Sequence, residues 1–364
     1  MVLQTVQKLK SLLSADTSQE NKKILNLEES HKFYKRENCV PKINELDSKI
    51  LKNLLKDGRK GYDEIAKECE VSANKVWKRC RAMEKKGIIN GATVQINFVH
   101  FGYDALATLL ISVEAQQMEQ VMEFIEKITE VHACRQYNSA YNVRATATLR
   151  NLNELDHVKE IIKRKLPTMG LKTYIWTGVR NIPENLNITG ALKDRGVSSQ
   201  WNHTIPALGQ RIVIDELDKQ IVAKLTLEGR ASFTKIAKQI GLSTDTVVKR
   251  YHRLREKGVI KVSIQINPNK IGYTAILDFN IAFTAPGGLS DTVVESLAKM
   301  PDVIMITKTS GDYDLQLSAM VRDISQSFTV QDQIARICGI TKIEASARKI
   351  PDVWPAPQQY ISTF

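Results

Sequence analysis

Residues 44–89 read NELDSKILKNLLKDGRKGYDEIAKECEVSANKVWKRCRAMEKKGII, and residues 215–260 read DELDKQIVAKLTLEGRASFTKIAKQIGLSTDTVVKRYHRLREKGVI. Shifted by 171 positions, 17 of the 46 places are identical. The register then slips, laying Gln95-Ile96-Asn97 on Gln265-Ile266-Asn267 and Gly102-Tyr103 on Gly272-Tyr273, and later Val131 on Val303 and Tyr141 on Tyr313. The period far exceeds the roughly 20–50 residues of a solenoid repeat. Each unit is therefore a folded module, spanning 43–182 and again 214–352, and the chain is a tandem duplication.

Within the first copy, Asn44 caps a helix whose apolar positions Leu46, Ile50 and Leu54 recur every four residues; Asp215, Leu217, Ile221 and Leu225 repeat the pattern. Asp57-Gly58-Arg59 and Glu228-Gly229-Arg230 end that helix with a glycine. A short helix follows, with Ile65-Ala66 or Ile236-Ala237 turned inward. Ser72 and Ser243 then stand where an N-cap belongs, ahead of a third helix that buries Val76, Cys80 and Met83 in one copy and Val247, Tyr251 and Leu254 in the other. The opposite face carries Asn74, Lys75, Lys78, Arg79 and Arg81, and in the second copy Asp245, Thr246, Lys249, Arg250 and Arg253. Residues 72–90 hold six basic residues against one acidic, and 243–261 six against two. Short helix, turn and basic helix make the helix-turn-helix plan, in which the last helix enters the major groove. The alternating stretches at Val94-Gln95-Ile96 and Ile264-Gln265-Ile266 predict a β-hairpin wing after each.

Two βαββαβ passes follow. The first runs through strand Ala105–Val113, helix 118–128, strands 131–137 and Val143–Leu149, helix 155–165 and strand 172–177. The second runs through Ala275–Phe283, 292–299, 303–309, Leu315–Val321, 325–337 and 342–347. The expected fold is α+β: a winged helix-turn-helix followed by a four-stranded antiparallel sheet with helices on one face, twice over. Ile111 and Val113, with Leu277, Phe279 and Ile281, are the expected apolar contacts between the two sheets. The implied domains are an N-terminal extension (1–42), winged helices at 43–100 and 214–270, α+β domains at 101–182 and 271–352, a linker (183–213) and a tail (353–364).

This order, with the phrases Leu217-Asp218, Lys257-Gly258-Val259-Ile260 and Gly311-Asp312-Tyr313-Asp314, resembles the Lrp/AsnC family of bacterial and archaeal transcription regulators. The resemblance covers both copies, about three-quarters of the chain. It implies double-stranded DNA as partner, read by Ser72, Asn74, Lys75, Lys78, Arg79, Arg81, Ser243, Asp245, Thr246, Lys249, Arg250 and Arg253. It also implies an amino-acid effector at Gly311, Asp312, Tyr313 and Asp314, an intrachain pseudo-dimer that associates further, and a place on the nucleoid in the cytoplasm. Copy one departs from the pattern, with Ser139-Ala140-Tyr141-Asn142 in place of the effector phrase.

A branch with the same architecture, the siroheme decarboxylases, performs chemistry. Copy one gathers His132, Arg135, Tyr137, Tyr141, Asn142 and Arg144 in a manner suited to tetrapyrrole carboxylates, but copy two has Ile304, Thr307 and Leu315 near the matching places. The regulator reading therefore leads, with no enzyme activity, cofactor or metal expected; the decarboxylase and a sequence-indifferent architectural DNA-binding protein are the alternatives.

Composition agrees with a polyanionic partner: 52 Lys+Arg against 40 Asp+Glu leave a net charge of +12. Five cysteines without a CxxC pair give neither a disulfide framework nor a zinc site. No Walker, GxGxxG, GxSxG or HExxH motif occurs, and no apolar run approaches the ~20 residues that span a bilayer. Residues 1–42 read as a polar leader, with Val6, Leu9, Leu12 and Leu13 spaced for a short amphipathic helix.

Overall fold

A computed structural model describes residues 43–128, 131–166, 168–189, 211–284 and 291–355. The expectation for residues 1–42 lies outside them. Copy one comprises α1 (Glu45–Lys56), α2 (Tyr62–Glu68), α3 (Ala73–Lys85), β1 (Ile89–Ile96), β2 (Ala105–Val113), α4 (Met118–Ile125), β3 (Val131–Arg135), β4 (Val143–Leu149), α5 (Asn153–Lys165) and β5 (Thr168–Asn181). Copy two repeats the order as α6 (Glu216–Leu227), α7 (Phe233–Ile240), α8 (Thr244–Glu256), β6 (Ile260–Ile266), β7 (Ala275–Phe283), α9 (Asp291–Ala298), β8 (Val303–Ser310), β9 (Leu315–Val321), α10 (Ile324–Ala335) and β10 (Ile340–Lys349). Asn44 and Asp215 each close a reciprocal capping box with an aspartate three residues on, Asp47 and Asp218, so both modules begin with the same local chemistry.

The wing differs from expectation. β1 and β6 do not fold back on themselves; they pair with each other, antiparallel, from Ile89↔Ile266 to Ile96↔Ile260. Alternation identifies each strand correctly, but Asn90-Gly91 is taken up as an irregularity within β1 rather than as a turn, and the partner of each strand is the other copy. Thr93 Oγ1 donates to the Thr226 carbonyl and Ser263 Oγ to that of Leu55, each at 3.0 Å, tying the ribbon to the first helix of both modules. Gly58 and Gly229 are placed by this joint rather than by helix capping alone. Each donates its backbone N–H to the ribbon strand of the other copy at 2.8 Å, and a Cβ on either would lie 2.8 Å from backbone carbon. One apolar core runs through both modules, from Ile50 and Leu54 to Ile221 and Leu225.

The eight remaining strands lie in the order β10-β7-β9-β8-β5-β2-β4-β3. β5 zips onto β8 from Ile175↔Ser310 to Asn181↔Met305, joining the copies edge to edge. At the opposite seam, β3 and β10 meet only near their ends, where Tyr137 bridges Ala347. The eight strands thus close on themselves, zipped on one side and largely open on the other.

The expected apolar sheet-to-sheet contact is corrected. Ile111 and Val113 pack under α4 and α5 in one core, and Leu277, Phe279 and Ile281 under α9 and α10 in another. Amphipathic helices claim the more apolar face of each sheet, so the faces that meet between copies are the mixed ones, carrying Thr108, Arg144, Trp176, Asp278, Gln316 and Arg348. The first residues of the expected linker pack against the folded modules. Leu186 and Ile188 are buried, and Asn185 Nδ2 donates to the carbonyls of Ala298, Met300 and Val303 in copy two. At the other end Trp354, within the expected tail, is buried and pairs with Ile266.

Candidate nucleic-acid interface and inter-sheet site

The recognition helices α3 and α8 are set by their caps. Ser72 Oγ accepts from Lys75 N and Ser243 Oγ from Thr246 N, which fixes both serines as structural caps at the helix entrance. Asn74, Lys75, Lys78 and Arg81 are exposed on α3, as are Asp245, Lys249 and Arg253 on α8, with Thr246 half-buried. Trp77 adds a large apolar surface to the same face, 45% exposed, with Arg81 5.9 Å from its ring. Its exposure cannot be read from sequence, because its spacing from Val76 and Cys80 places it only at the edge of the buried stripe.

Three of the expected DNA contacts form ion pairs with aspartates of their own module. Arg79 pairs with Asp47 of α1; Arg250 pairs with Asp215 and Asp218 of α6, and Arg253 with Asp218 as well. Asp47 and Asp218 are buried, so these arginines fasten each recognition helix to the first helix of its own module. Sequence reasoning places them on the outer face because the aspartates lie about 32 residues upstream, beyond helical spacing. The hydrogen bonds from Arg250, helped by the Asp218 backbone N–H, hold the Asp215 carboxyl below its ordinary range.

The effector phrase lies on the inter-copy joint. Gly311 has φ +144°, and a Cβ there would stand 3.0 Å from the Tyr174 ring of copy one. Asp312 pairs with Lys172 at 3.0 Å, and the Tyr313 ring lies 5.9 Å from that of Tyr174 and 5.0 Å from Lys342 Nζ. Asp314 Oδ2 accepts from Phe283 N at 2.7 Å. Asn142 does the same in copy one, accepting from Val113 N at 2.9 Å and donating to Val113 O at 2.7 Å. The position brackets a strand end in both copies.

Between the sheets lies a buried polar cluster. Arg144 Nη2 and Thr108 Oγ1 both donate to Gln316 Oε1 at 2.8 Å, Trp176 Nε1 donates to Thr108 Oγ1 at 2.8 Å, and Arg348 Nε donates to Asp278 Oδ2 at 2.8 Å. Ser318 Oγ adds a hydrogen bond to Asp278 at 2.5 Å. Burial opposes ionisation of Asp278, but Arg348, Arg144 and Ser318 outweigh it and hold the carboxyl below its usual range. Arg144 Nη1 is buried without a hydrogen-bond partner among the described residues. Cys134 backs Arg144 on the neighbouring strand, its thiol raised by burial. His132 lies further along β3, opposite Thr146 of β4. Part of its ring meets solvent, yet enough is covered that desolvation, with Arg348, lowers its pKa from the ordinary value.

The sequence cluster for tetrapyrrole carboxylates is therefore divided. His132 and Arg144 face the inter-sheet interior. Arg135 faces α4 and pairs with Glu119, Tyr137 bridges Ala347, Tyr141 lies by Lys172, and Asn142 holds Val113. No group of three or more His, Cys, Asp or Glu suited to a metal occurs among the described residues, and no described helix is long and apolar enough to cross a membrane.

Two helix-turn-helix units joined by a shared ribbon, above two βαββαβ sheets that close on each other, define a covalent pseudo-dimer of DNA-binding and ligand-binding domains. The chain belongs to the Lrp/AsnC family. Residues 43–90 match a winged helix-turn-helix DNA-binding profile, 214–255 the AsnC-type helix-turn-helix domain, and 284–347 the Lrp/AsnC ligand binding domain. The HTH-type transcriptional regulator FL11 of Pyrococcus horikoshii is 34% identical over 131 residues, 36% of this chain and 85% of that protein. The HTH-type transcriptional regulator LrpA of the same organism is 35% identical over 133 residues, 36% of this chain and 93% of that protein. These matches are about the length of one copy. Over nearly the whole chain, the fold is similar to the crystal structure of the siroheme decarboxylase NirDL, with a TM-score of 0.58 at 17% identity, covering 88% of this chain and 95% of that one. A NirDL complex with an iron-uroporphyrin III analogue gives a TM-score of 0.55 at 16% identity, covering 83% and 90%.

Proposed function

We propose that the chain is a sequence-specific DNA-binding transcriptional regulator whose two winged helices dock in successive major grooves of one duplex. The observation that carries this reading is the pair of capped recognition helices, both with exposed polar and basic faces, held to each other through the β1–β6 ribbon. A shared ribbon and core remove the hinge between the modules, so a duplex meets a preformed spacing rather than two independent heads. The basic excess supplies the salt-dependent attraction to phosphate, and Asn74, Lys75, Asp245 and Thr246 supply the donors and acceptors that read base edges. Selection of binding sites from random duplexes by the full chain tests it. A site preferred over random sequence by about 10³ or more is expected; binding without preference favours the architectural alternative instead.

A second reading, siroheme-decarboxylase-like chemistry, is supported by the likeness of the fold to NirDL over nearly the whole chain and by the guanidinium groups of Arg144 and Arg348 between the sheets, which suit carboxylates. Asn142, held on the backbone of Val113, and Arg135, turned to the helix side of the sheet against Glu119, weigh against it. Incubation with siroheme, followed by the Soret absorption of bound tetrapyrrole and by release of carbon dioxide, decides between them. Neither signal is expected of the regulator.

A further inference from the structure

The pseudo-twofold between the two winged modules breaks where the third helix of each module faces the other copy. On one side, the Tyr251 ring of α8 lies 5.0 Å from that of Phe233, and Arg59 of the other copy covers Phe233 at 4.1 Å and approaches Tyr251 to 5.4 Å. Arg59 Nη1 also donates to the carbonyls of Gly229 and Ala231 at 2.8 and 2.9 Å, and Arg255 pairs with Asp57 at 2.6 Å. This joint is full.

On the other side the repeat sets Cys80 at the place of Tyr251, Tyr62 at that of Phe233 and Arg230 at that of Arg59, with Glu84 and Glu228 replacing Arg255 and Asp57. Arg230 still covers Tyr62 at 5.0 Å. A thiol stands where the phenol ring would be, and two carboxylates stand where an ion pair would close the gap. A cavity of about 400 Å³ remains, lined by Tyr62, Cys80, Glu84, Asn90, Glu228 and Arg230 among others. Burial pushes the Cys80 thiol up to about 11, so it is protonated and is no nucleophile; the cavity is a place to bind.

We propose that this cavity binds a small aromatic amine. Its ring takes the place that Tyr251 fills on the opposite side, against the Arg230 guanidinium and Tyr62, and its ammonium takes the place of the Arg255 guanidinium, between Glu84 and Glu228. The volume lies in the usual range for small-ligand pockets, roughly 300–1,000 Å³, and a ring against a guanidinium face gains from cation–π attraction. Glu84 now bonds Arg81 and Glu228 bonds Lys235, but both are exposed ion pairs, weak enough to exchange for a ligand cation. The ligand completes on one side the joint that the chain itself completes on the other.

Calorimetric titration of the full chain with tyramine, and with 4-methylphenol as the ring without the amine, tests the proposal. It needs no DNA, so its outcome is separate from the regulator reading. Saturable binding of one tyramine per chain is expected, stronger than that of 4-methylphenol. Glu228→Gln should weaken it about tenfold, and Cys80→Tyr, which fills the cavity as Tyr251 does, should abolish it. The proposal is overturned by absence of saturable binding, by affinity unchanged in Glu228→Gln, or by binding retained in a Cys80→Tyr chain with native circular dichroism. If Cys80→Tyr does not fold, Glu228→Gln carries the test alone.

Discussion

Arg79 of the first recognition helix and Asp47 of the first turn of α1 form a two-pronged ion pair, with Arg79 Nε donating to Asp47 Oδ1 at 2.6 Å and Nη2 to Oδ2. In the second copy Arg250 Nη1 donates to Asp218 Oδ1 at 2.9 Å and to both carboxylate oxygens of Asp215, and Arg253 takes Asp218 Oδ2. The repeated Lys-Arg phrase therefore divides its labour, with lysine facing outward and arginine fastening the helix. Arg79→Met leaves a buried carboxylate unpaired and should lower unfolding stability by about 2 kcal/mol, less than a fully buried pair because Arg79 is partly exposed. Lys78→Ala and Lys249→Ala together should leave the melting curve in place and reduce the log–log salt slope of DNA binding by about 0.9 for each phosphate that is no longer neutralised. Thermal melts beside salt titrations separate the two classes; the opposite assignment of effects would show that arginine, not lysine, meets the duplex.

Gly58 and Gly229 allow each module to lie against the other's ribbon strand. Because a Cβ would meet backbone at 2.8 Å, no side-chain adjustment relieves it. Gly58→Ala or Gly229→Ala should each cost about 1–3 kcal/mol and widen the spacing between recognition helices. Chemical denaturation reads the first effect. The second appears as weakened affinity for a two-half-site duplex with unchanged affinity for a single half-site.

Much of this fold is legible in sequence because it is written locally and then written twice. Capping residues, four-residue apolar spacing and strand alternation locate nearly every element, and strands β2, β4, β7 and β9 have the expected bounds. Pairing between copies is not legible in the same way. A strand that alternates shows that it has a partner, not which one, so alternation at Val94–Ile96 and Ile264–Ile266 predicts a hairpin where the structure has a ribbon. Likewise, two faces of a sheet can both alternate with apolar residues, and only the helices decide which is covered. The same limit applies to the site: Arg79 and Arg250 sit on the correct helix face, and the aspartates that claim them are distant in sequence.

Asp314 and Asn142 hold equivalent strand ends in the two copies, and this constrains any effector reading of the Gly311–Asp314 loop. Asp314→Asn should be tolerated, since Asn142 already performs the bracket with an amide. Asp314→Ala removes the acceptor of the Phe283 N–H and should cost about 1–2 kcal/mol. Thermal melts of both variants, run before any amino-acid titration, distinguish loss of structure from loss of ligand binding; equal destabilisation by Asn and Ala would contradict the bracket.

Asp278 makes the inter-sheet cluster a source of acid sensitivity. Its folded-state pKa is depressed, so it contributes stability above the unfolded carboxylate value of about 3.9, and that contribution is lost as pH falls through the folded value. Asp278→Asn should lower stability at neutral pH and flatten the fall in stability below about pH 4. Urea denaturation at a series of pH values measures both. An unchanged acid slope would mean that folding does not depress the Asp278 pKa.

The two recognition helices open differently, and this should appear in the operator. α3 presents Asn74-Lys75, able to donate to guanine O6 and N7 or, through Asn74, to pair with adenine; α8 presents Asp245-Thr246, and an ionised aspartate only accepts, favouring cytosine N4 and resisting phosphate. A symmetric homodimer selects a palindrome because its two helices are identical. Here the modules are fused and unlike, so the preferred site should be asymmetric, with each wrong base in a half-site costing about 1–3 kcal/mol. Exchanging Asn74-Lys75 with Asp245-Thr246 should reverse its orientation without changing the spacing, since the ribbon and glycine contacts that set spacing are untouched. Selection from random duplexes by the wild type and the exchanged chain decides: a perfect palindrome for the first, or the same orientation for both, would mean that these four residues do not read the bases.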